Sequence, residues 1–436
     1  TGRNIYSIDP RKIPTKAAYK IGVKLADEIL NKYIKEENKY PEKIGMVLWS
    51  LDAYRADGEQ LAQILHLIGA RPVWNESGIV TGVEPVSLQE LNRPRIDVTI
   101  RTSEIFRDTL PNLIELLDSA VVMIANLKED EAKNYILKNT NEYKKTAKKE
   151  NKSKLNDEAL NRAATFRIFA AKPGAYGNGI MLMIAASAWK TIKDLGETFI
   201  EHGGFAYGQD VFGQKAYGAF VHNLKTITTV FHKTETDETD PLGGCYNDFQ
   251  GGMTAAVRAL SNSTPKVLWG DTKDPANPKV RELSEEIERV VRVKLLNPQW
   301  IEGMKKHGYQ GAQAMAQKAA SVYGWDATSD VVDDWIFDEL TKKHVLDKEM
   351  REFYEQNNPW ALEELARRFL EAEQRGLWKA DPQVLKDLKD IYLEIEGWIE
   401  EKMEDVKVEF QGGSVDVMTK TDVKEWAGRL DFNIDD

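Results

Sequence analysis

The sequence predicts an α/β protein: a strand-helix α/β domain followed by a mostly α-helical C-terminal domain. Two observations predict this class. Short apolar runs, each long enough for a buried strand, alternate with helical patterns after residue 44, as expected for helices packed on a sheet. After Asn297 the strand patterns stop, and apolar residues recur at helical spacing as far as about Glu404.

Residues 1–40 are predicted to be an N-terminal loop and one helix. The pairs Asp9-Pro10 and Ile13-Pro14 disfavour helix at the residue before each proline. From Thr15 onward, apolar side chains recur every four residues: Ile21, Leu25, Ile29 and Tyr33. The chain begins without Met and in the middle of a turn-like motif, which indicates a segment cut from a longer polypeptide.

Residues 41–296 are assigned to the α/β domain. Apolar runs predict strands at 45–49, 71–74, 96–100, 166–169 and 267–271. Helical spacing is present over 60–68, over 106–124 and after the last of these strands. The polar stretch 128–164, rich in Lys, Asn and Glu, is predicted to be a helical arm or a linker, and 232–252 a region rich in loops.

Residues 297–405 are assigned to the helical domain and 406–436 to a C-terminal extension. The helical assignment rests on a continuous pattern with many charged surface positions and scattered Trp. In the extension, Val415-Asp416-Val417-Met418 predicts a short strand, and 423–430 fits a helix.

Composition excludes several classes of protein. The 436 residues carry 59 basic and 70 acidic side chains, a net charge of −11, which disfavours nucleic acid and anionic membrane surfaces as partners. The sequence has neither a run of 18 apolar residues nor an apolar N-terminal stretch. Cys245 alone can form neither a disulfide framework nor a thiolate cluster, and we expect a cytoplasmic protein.

Two predicted strands end alike, with a Trp and then an Asp within three residues. The first ends at Trp49 and is followed by Asp52, and the second ends at Trp269 and is followed by Asp271. Ligands of open α/β sheets bind beyond the carboxyl ends of strands, so both carboxylates are candidate binding groups. The alternative, which has the higher prior, is that each Asp caps the turn or helix that follows.

A glycine-rich stretch, Lys172-Pro173-Gly174-Ala175-Tyr176-Gly177-Asn178-Gly179, leads into a predicted helix. It has neither the dinucleotide-binding glycine spacing nor the Gly-Lys-Ser/Thr ending of a P-loop. Its glycines are expected to let the backbone approach a flat ligand or another loop closely. Any dependence on ATP must therefore come from partner proteins.

The stretch 297–309 has the densest set of candidate chemical groups: Trp300, Glu302, His307 and Tyr309. A carboxylate and an imidazole at this spacing can transfer protons. The alternative, at about even odds, is an ordinary helix end with Gly308 as its cap and His307 near the negative end of the helix dipole. The six His residues include no pair at zinc-ligand spacing, and no metal site is predicted.

Ten short motifs in order resemble the large subunit of cobaltochelatase and the H subunit of magnesium chelatase over nearly the whole chain. They are Thr1-Gly2-Arg3-Asn4 with Asp9-Pro10 and Ile13-Pro14-Thr15, Leu67-Ile68-Gly69-Ala70-Arg71-Pro72, Arg93-Pro94-Arg95-Ile96-Asp97-Val98, Ile105-Phe106-Arg107-Asp108, Gly174-Ala175-Tyr176-Gly177, Phe205-Ala206-Tyr207-Gly208, Leu295-Leu296-Asn297-Pro298, Glu302-Gly303-Met304, His307-Gly308-Tyr309 and Gly324-Trp325. Each motif is weak alone, but their common order is a strong signal.

The resemblance implies a subunit that holds a tetrapyrrole, while separate AAA+ ATPase subunits bind ATP and Mg and drive metal insertion. Cobalt or magnesium is then a substrate, and this chain has no cofactor of its own. Glu302 and His307 are the candidate catalytic residues, since metal insertion must remove two pyrrole N–H protons. Candidate tetrapyrrole-binding residues are Asp52, Arg107, Tyr176, Asp271, Trp300 and Tyr309. We expect 297–309 and 174–179 to face a common cavity.

The sequence also departs from the family pattern. The family has a His-Gly-x-Leu-Glu segment upstream, with a favoured catalytic Glu, and this chain contains no such segment. Ser50-Leu51 stands where Gly-Thr is usual. The predicted function is the C-terminal part of a chelatase large subunit, with cobalt insertion into a corrin precursor, inactive as this fragment alone. The alternatives are a non-catalytic tetrapyrrole-binding or scaffold module and, remotely, a carbohydrate-active enzyme, which the 11 Trp residues suggested.

Overall fold

The structure, a computed structural model, describes residues 8–149, 156–261 and 263–404. The motif at residues 1–4 and the predicted extension 406–436 lie outside these ranges, as do residues 150–155 of the polar stretch. The described residues form an α/β sheet domain with a helical C-terminal part, and this confirms the predicted fold class.

The strands in the described ranges are β1 (Lys43–Leu48), β2 (Ala70–Trp74), β3 (Val80–Pro85), β4 (Asp97–Thr102), β5 (Ile168–Ala170), β6 (Phe205–Gly208), β7 (Val211–Lys215), β8 (Thr229–Thr234), β9 (Lys266–Asp271) and β10 (Lys279–Glu282). Eight of them form one sheet in the order β10-β9-β8-β1-β4-β5-β6-β7. The central strands β9, β8, β1, β4 and β5 are parallel, and β10, β6 and β7 are antiparallel additions at the two edges. The β2-β3 hairpin is a separate two-stranded sheet.

The α-helices in the described ranges are α1 (Lys16–Glu37), α2 (Ser50–Ala56), α3 (Glu59–Ile68), α4 (Leu88–Leu91), α5 (Glu104–Thr109), α6 (Pro111–Ala125), α7 (Tyr135–Lys149), α8 (Asp157–Ala163), α9 (Ile180–Ala185), α10 (Ile192–Gly203), α11 (Tyr217–Lys225), α12 (Gly252–Ser261), α13 (Leu283–Val290), α14 (Pro298–Lys305), α15 (Gly308–Ser329), α16 (Asp334–Leu340), α17 (Lys348–Asn357), α18 (Pro359–Gln374) and α19 (Pro382–Glu404). Single π-helical turns are present at Asn247–Gly251, Val291–Leu295 and Thr341–Leu346.

Local sequence explains where several elements begin. Thr15 and Ser103 occupy N-cap positions and accept hydrogen bonds from the backbone N–H groups of Ala18 and Phe106, which fixes the starts of α1 and α5. Pro111 stands at the first position of α6. The proline therefore divides the single helix predicted over 106–124 into α5 and α6.

Two polar regions also have regular structure. The described part of 128–164 contains the helices α7 and α8, which agrees with the helical alternative for this stretch. The region 232–252 is not only loop, because β8 continues to Thr234 and a π-turn begins at Asn247. His232 and Lys233 are polar but buried in β8. Because a buried strand is predicted from a run of apolar residues, the sequence did not predict β8.

The sheet is covered on both faces by helices, and its two faces belong to two hydrophobic clusters. The smaller cluster packs α1, α3 and α6 on one face, with Leu25, Ile64 and Leu117 fully buried. The larger cluster continues from α10–α12 on the other face into the C-terminal helices, where it buries Trp325 and Leu365. This larger cluster includes residues on both sides of the predicted domain boundary between 296 and 297. The boundary itself stays a prediction.

Candidate functional site

The parallel strands bring several chain segments to one side of the sheet, the side at which their carboxyl ends lie. We call this side the carboxyl edge. Strands β1, β4, β8 and β9 run in the same direction, so Trp49, Ser103, Glu235 and Thr272 follow strand ends at the same edge. Ligands of open α/β sheets bind at this edge. The glycine-rich stretch follows the end of β5, so it begins at the same edge.

Asp52 belongs to a buried ionic cluster at this edge. Lys233 Nζ lies 2.9 Å from Glu59 Oε2 and 3.4 Å from Asp52 Oδ1. The Asp52 carboxylate also accepts from the backbone N–H groups of Gln60, at 2.8 Å, and Leu61, at 3.1 Å. Burial raises the pKa of Asp52 to about 6, although Lys233 opposes the rise. Asp52 thus caps α3, as the alternative proposed, and its contact with a tetrapyrrole stays a prediction.

Asp271 fixes the β9–β10 hairpin. Its Oδ1 accepts from the backbone N–H of Lys273 at 3.1 Å, and its Oδ2 accepts from Arg281 Nη1 at 3.2 Å across the hairpin. These bonds again match the capping alternative. A binding role for Asp271 stays a prediction.

Arg107 shapes the stretch 172–179, which we call the glycine loop. The guanidinium is 1% exposed. Its Nη1 donates to three backbone carbonyls, those of Ala171 at 3.0 Å, Lys172 at 3.0 Å and Ala175 at 3.2 Å. These bonds hold the backbone of the glycine loop in place. The predicted contact of Arg107 with a tetrapyrrole stays a prediction.

Tyr176 lies on the outer side of the same loop. Its hydroxyl donates to Asp108 Oδ2 at 2.5 Å, and Asp108 in turn pairs with Arg107 at 2.6 Å. The Arg107 guanidinium lies 5.5 Å from the centre of the Tyr176 ring. The ring is held by its hydroxyl and by the guanidinium while 65% of the residue stays exposed. Such a fixed, exposed ring is suited to stack on a flat ligand.

Helix α9 continues the exposed apolar surface that Tyr176 begins. Met181 and Leu182 are 54% and 70% exposed. We call Tyr176, Met181 and Leu182 the α9 surface. Gly179, at φ +79°, begins the helix, and a Cβ there would overlap Thr198 and His202. Exposed large apolar side chains are frequent at binding sites, so the α9 surface is a candidate binding surface.

Two cavities flank α9. The first, the loop-side cavity, has a volume of about 520 Å³, and its lining includes Lys172, Tyr176, Leu182, His202, Phe205 and Tyr217. The second, the helix-side cavity, has a volume of about 500 Å³ and lies between α9, the segment 242–248 and helices α15 and α18. Both volumes are within the range of about 300–1,000 Å³ found for small-molecule sites. Their linings combine apolar side chains with a few charged groups.

A buried carboxyl group lines the helix-side cavity. Asp248 belongs to the π-turn Asn247–Gly251 and is 4% exposed. Burial raises its pKa to about 7, while a hydrogen bond with the Cys245 thiol acts in the opposite direction. Burial raises the pKa of the Cys245 thiol to about 11, and the neighbouring Asp248 carboxylate adds to the rise. The cavity therefore has a group that can take up and release a proton near neutral pH.

The segment 297–309 lies elsewhere. Glu302 forms an ion pair with Lys305 at 2.9 Å, and its side chain is 62% exposed. His307 is exposed at the junction between α14 and α15, Tyr309 is 53% exposed, and Trp300 packs against the larger hydrophobic cluster. None of these residues lines either cavity beside α9. The expected common cavity with the glycine loop is therefore not found at α9, and the catalytic roles of Glu302 and His307 stay predictions.

Within the described ranges, three or more His, Cys, Asp or Glu side chains are nowhere grouped so that they could hold a metal ion. The helices of the same ranges include none long and apolar enough to cross a membrane.

Comparison with known proteins decides the family. The model of a family described as CobN/Magnesium Chelatase matches residues 1–385. The chain belongs to this family. This confirms the resemblance drawn from the ten motifs.

Relatives within the family share the sequence and the fold. An uncharacterized protein of Methanocaldococcus jannaschii is 49% identical over 420 residues, 96% of this chain and 33% of that protein. The aerobic cobaltochelatase subunit CobN of Pseudomonas aeruginosa is 38% identical over 398 residues, 91% of this chain and 32% of CobN. The catalytic subunit of cobaltochelatase from Mycobacterium tuberculosis superposes with a TM-score of 0.86 at 39% identity, over 91% of this chain and 33% of that one. The chain spans about a third of the length of these relatives.

Sequence reasoning missed the residues that line the two cavities, apart from Tyr176. In the sequence, Lys172 is marked only as part of the glycine-rich stretch, and Asp248 lies in the region predicted to be rich in loops. The pair Gly251-Gly252 was the available signal for Asp248, because adjacent glycines inside a helical pattern indicate close packing. The exposure of Met181 and Leu182 has no signal in the sequence, since the same apolar spacing describes a buried helix face.

Proposed function

We propose that this chain is the C-terminal part of the tetrapyrrole-binding large subunit of an ATP-dependent metal chelatase, and that the reaction is cobalt insertion into a corrin precursor. The observation that carries the proposal is the α9 surface between two cavities of ligand size, in a chain of the CobN/magnesium chelatase family. The names of the Pseudomonas and Mycobacterium relatives support cobalt as the metal.

The chemistry of the α9 surface fits a tetrapyrrole. A macrocycle is flat and apolar, so an exposed aromatic ring and two long apolar side chains can cover one of its faces. Its carboxylate substituents need cationic partners, and Lys172 lies at the rim of the loop-side cavity. A macrocycle lying on Leu182 therefore also reaches a positive charge.

The proposal places the energy source on other polypeptides. The sequence contains no P-loop pattern of the form G-x-x-x-x-G-K-S/T. ATP and Mg are therefore assigned to partner AAA+ subunits, and this chain alone is expected to bind a tetrapyrrole but to insert no metal. Cobalt is a substrate in this scheme and not a resident cofactor.

The Leu182→Asp variant tests the α9 surface. A carboxylate here would lie against the apolar ring and lose its hydration, so we expect tetrapyrrole affinity to fall at least tenfold, about 1.4 kcal/mol or more. The measurement is a titration of the absorption spectrum of the metal-free corrin precursor with the chain. Leu393→Asp is the matched control, because Leu393 is 68% exposed on α19 and Leu182 is 70% exposed on α9.

Leu393→Asp should bind tetrapyrrole as the wild type does, and both variants should unfold within about 0.5 kcal/mol of the wild type, since both sites are exposed. Equal binding by Leu182→Asp and the wild type would remove α9 from the site. Metal insertion by the wild-type chain without ATPase partners would contradict the assignment of the energy source.

A further inference from the structure

We propose that Asp248 is a catalytic residue that takes one of the two pyrrole N–H protons from a tetrapyrrole that lies on the α9 surface and extends into the helix-side cavity, which Met181 of that surface lines. The inference rests on the proposed function. It assigns a proton-accepting role to a residue outside every motif that carried the family resemblance.

The position of Asp248 is the first observation. Its side chain lines a cavity of about 500 Å³ although the residue is 4% exposed. Its carboxyl group interacts with the thiol of Cys245, which is a weak hydrogen-bond donor. Among the described residues, no Lys, Arg or His forms an ion pair with it.

Asp240, another buried carboxylate, has strong cationic partners. It accepts from Lys318 at 2.8 Å and from Lys294 at 2.6 Å, and although burial acts in the opposite direction, these two charges hold the pKa of Asp240 below its ordinary value. A carboxylate engaged in this way stays ionised and does not readily accept a proton. Asp248 differs because its charge is not balanced by a direct neighbour.

The backbone around Asp248 is fixed by close packing. Gly324 of α15 faces the Asn247 side chain so closely that a Cβ would overlap its amide. On the next residues, a Cβ at Gly251 would overlap Thr328, and one at Gly252 would overlap Phe199. Single π-turns inside helices are frequent at functional sites, and this one holds Asp248 at the cavity.

The charged groups that face Asp248 across the cavity are engaged elsewhere. Lys318 pairs with Asp240, and Arg368 pairs with Glu371 at 2.9 Å and donates to the Ile184 carbonyl. Glu364, Tyr323 and Cys245 complete the titratable lining. Burial consequently dominates and raises the pKa of Asp248 to about 7. A base with a pKa near the working pH is the most effective proton acceptor.

The proton transfer balances without an oxidant or a reductant. The pyrrole N–H bond breaks, an O–H bond forms on the Asp248 carboxylate, and the electron pair stays on the nitrogen. That nitrogen then donates the pair to the incoming divalent cation. The proton leaves Asp248 to solvent before the next turnover.

Asp248→Asn tests the role in the full polypeptide that carries this chain, assayed with its ATPase partners. We expect tetrapyrrole affinity to stay within about threefold of the wild type, while metal insertion falls about 10²–10⁴-fold, the size of a general-base contribution. The wild-type rate should rise with pH through about 7. That rise should be absent from the residual activity of Asp248→Asn.

Asp326→Asn is the matched control. Asp326 is 3% exposed and burial likewise raises its pKa to about 7, but it accepts from the Val332 backbone N–H and lines neither cavity. We expect this control to bind and insert as the wild type does. Asp248→Glu keeps a carboxyl group and should retain the rise with pH at a reduced rate, which provides a second test if Asp248→Asn does not fold.

The outcomes separate the two proposals. The role of Asp248 would be overturned if Asp248→Asn inserted metal at the wild-type rate. It would also be overturned if the insertion rate of Asp248→Glu did not rise near pH 7. Either result would leave the proposed function intact. A folded Asp248→Asn that no longer binds tetrapyrrole would also overturn the role in proton transfer. A wild-type polypeptide that binds no tetrapyrrole would instead contradict the proposed function.

Discussion

Arg107 illustrates how a single residue can be recognised in the sequence while its role depends on its partners. The sequence marks Arg107 as a candidate partner for a carboxylate group of a tetrapyrrole, because Arg commonly binds carboxylates. In the structure it is buried beneath Tyr176 and donates to glycine-loop carbonyls. These contacts join residues more than 60 positions apart, so no local pattern could have predicted them.

Arg107→Lys should loosen the glycine loop. A lysine ammonium cannot reproduce the planar fork that reaches several carbonyls and also pairs with Asp108, so the carbonyls at 171, 172 and 175 lose hydrogen bonds that Arg107 donates. We expect the amide of Ala175, which donates to Lys172 O, to exchange its hydrogen at least tenfold faster. The measurement is hydrogen exchange of the chain.

Arg95→Lys is the control for this prediction. Arg95 is also 1% exposed and donates to the carbonyls of Gly69 and Val86, and it pairs with Glu129 at 2.8 Å. Its replacement should speed exchange around those residues and leave Ala175 unchanged. Unaltered exchange at Ala175 in Arg107→Lys would show that the loop does not depend on the guanidinium.

At the scale of elements, the interface between α15 and the π-turn shows what the strand and helix patterns could not predict. The helical pattern after Asn297 predicted a helical region there, but neither the bounds of α15 nor its neighbour. Gly324 allows α15 to approach Asn247, and the contact exists only after the chain has folded. The local sequence is enough to predict that a helix forms here. The need for glycine at position 324 depends on a residue that is distant in the sequence.

Gly324→Ala should destabilise the protein. The added methyl group would overlap the half-buried Asn247 amide, which must then turn away from α15, and we expect a cost of about 1 kcal/mol, the low end for overpacking. Gly303→Ala is the matched control in α14, because no atom lies within 4 Å of a Cβ at Gly303. There the substitution should raise the free energy of unfolding, by up to about 1 kcal/mol, through helix propensity. Urea unfolding measures both, and equal effects of the two substitutions would contradict the packing argument.

At the scale of the whole molecule, buried titratable groups act in opposite directions as the pH falls. Burial lowers the pKa of His344 to about 4, below its ordinary value of 6.5, so the unfolded chain takes up the proton first and stability falls as the pH drops below 6.5. Burial raises the pKa of Asp326 to about 7, so the folded chain takes up the proton first and stability rises as the pH drops through 7.

The variants His344→Asn and Asp326→Asn should therefore show opposite pH dependence. Relative to the wild type, His344→Asn loses stability at pH 8, where it lacks the bond to the Leu295 carbonyl, and recovers about 2 kcal/mol of the difference by pH 5. Asp326→Asn should instead become less stable relative to the wild type over the same interval, by about 3 kcal/mol. Urea unfolding at the two pH values checks both signs, and parallel curves would contradict the stated causes.

The sequence by itself determined the fold class, most of the central strands, the helical C-terminal part and the family. These features depend on local periodicity and on motif order, which are written along the chain. It did not determine the site. Asp248 and Lys172 line cavities on either side of α9 only because the parallel strands bring distant segments together at their carboxyl ends and the C-terminal helices pack beside α9. Burial, exposure and the pKa of a carboxyl group depend on neighbours in space, so only the tertiary structure decides them.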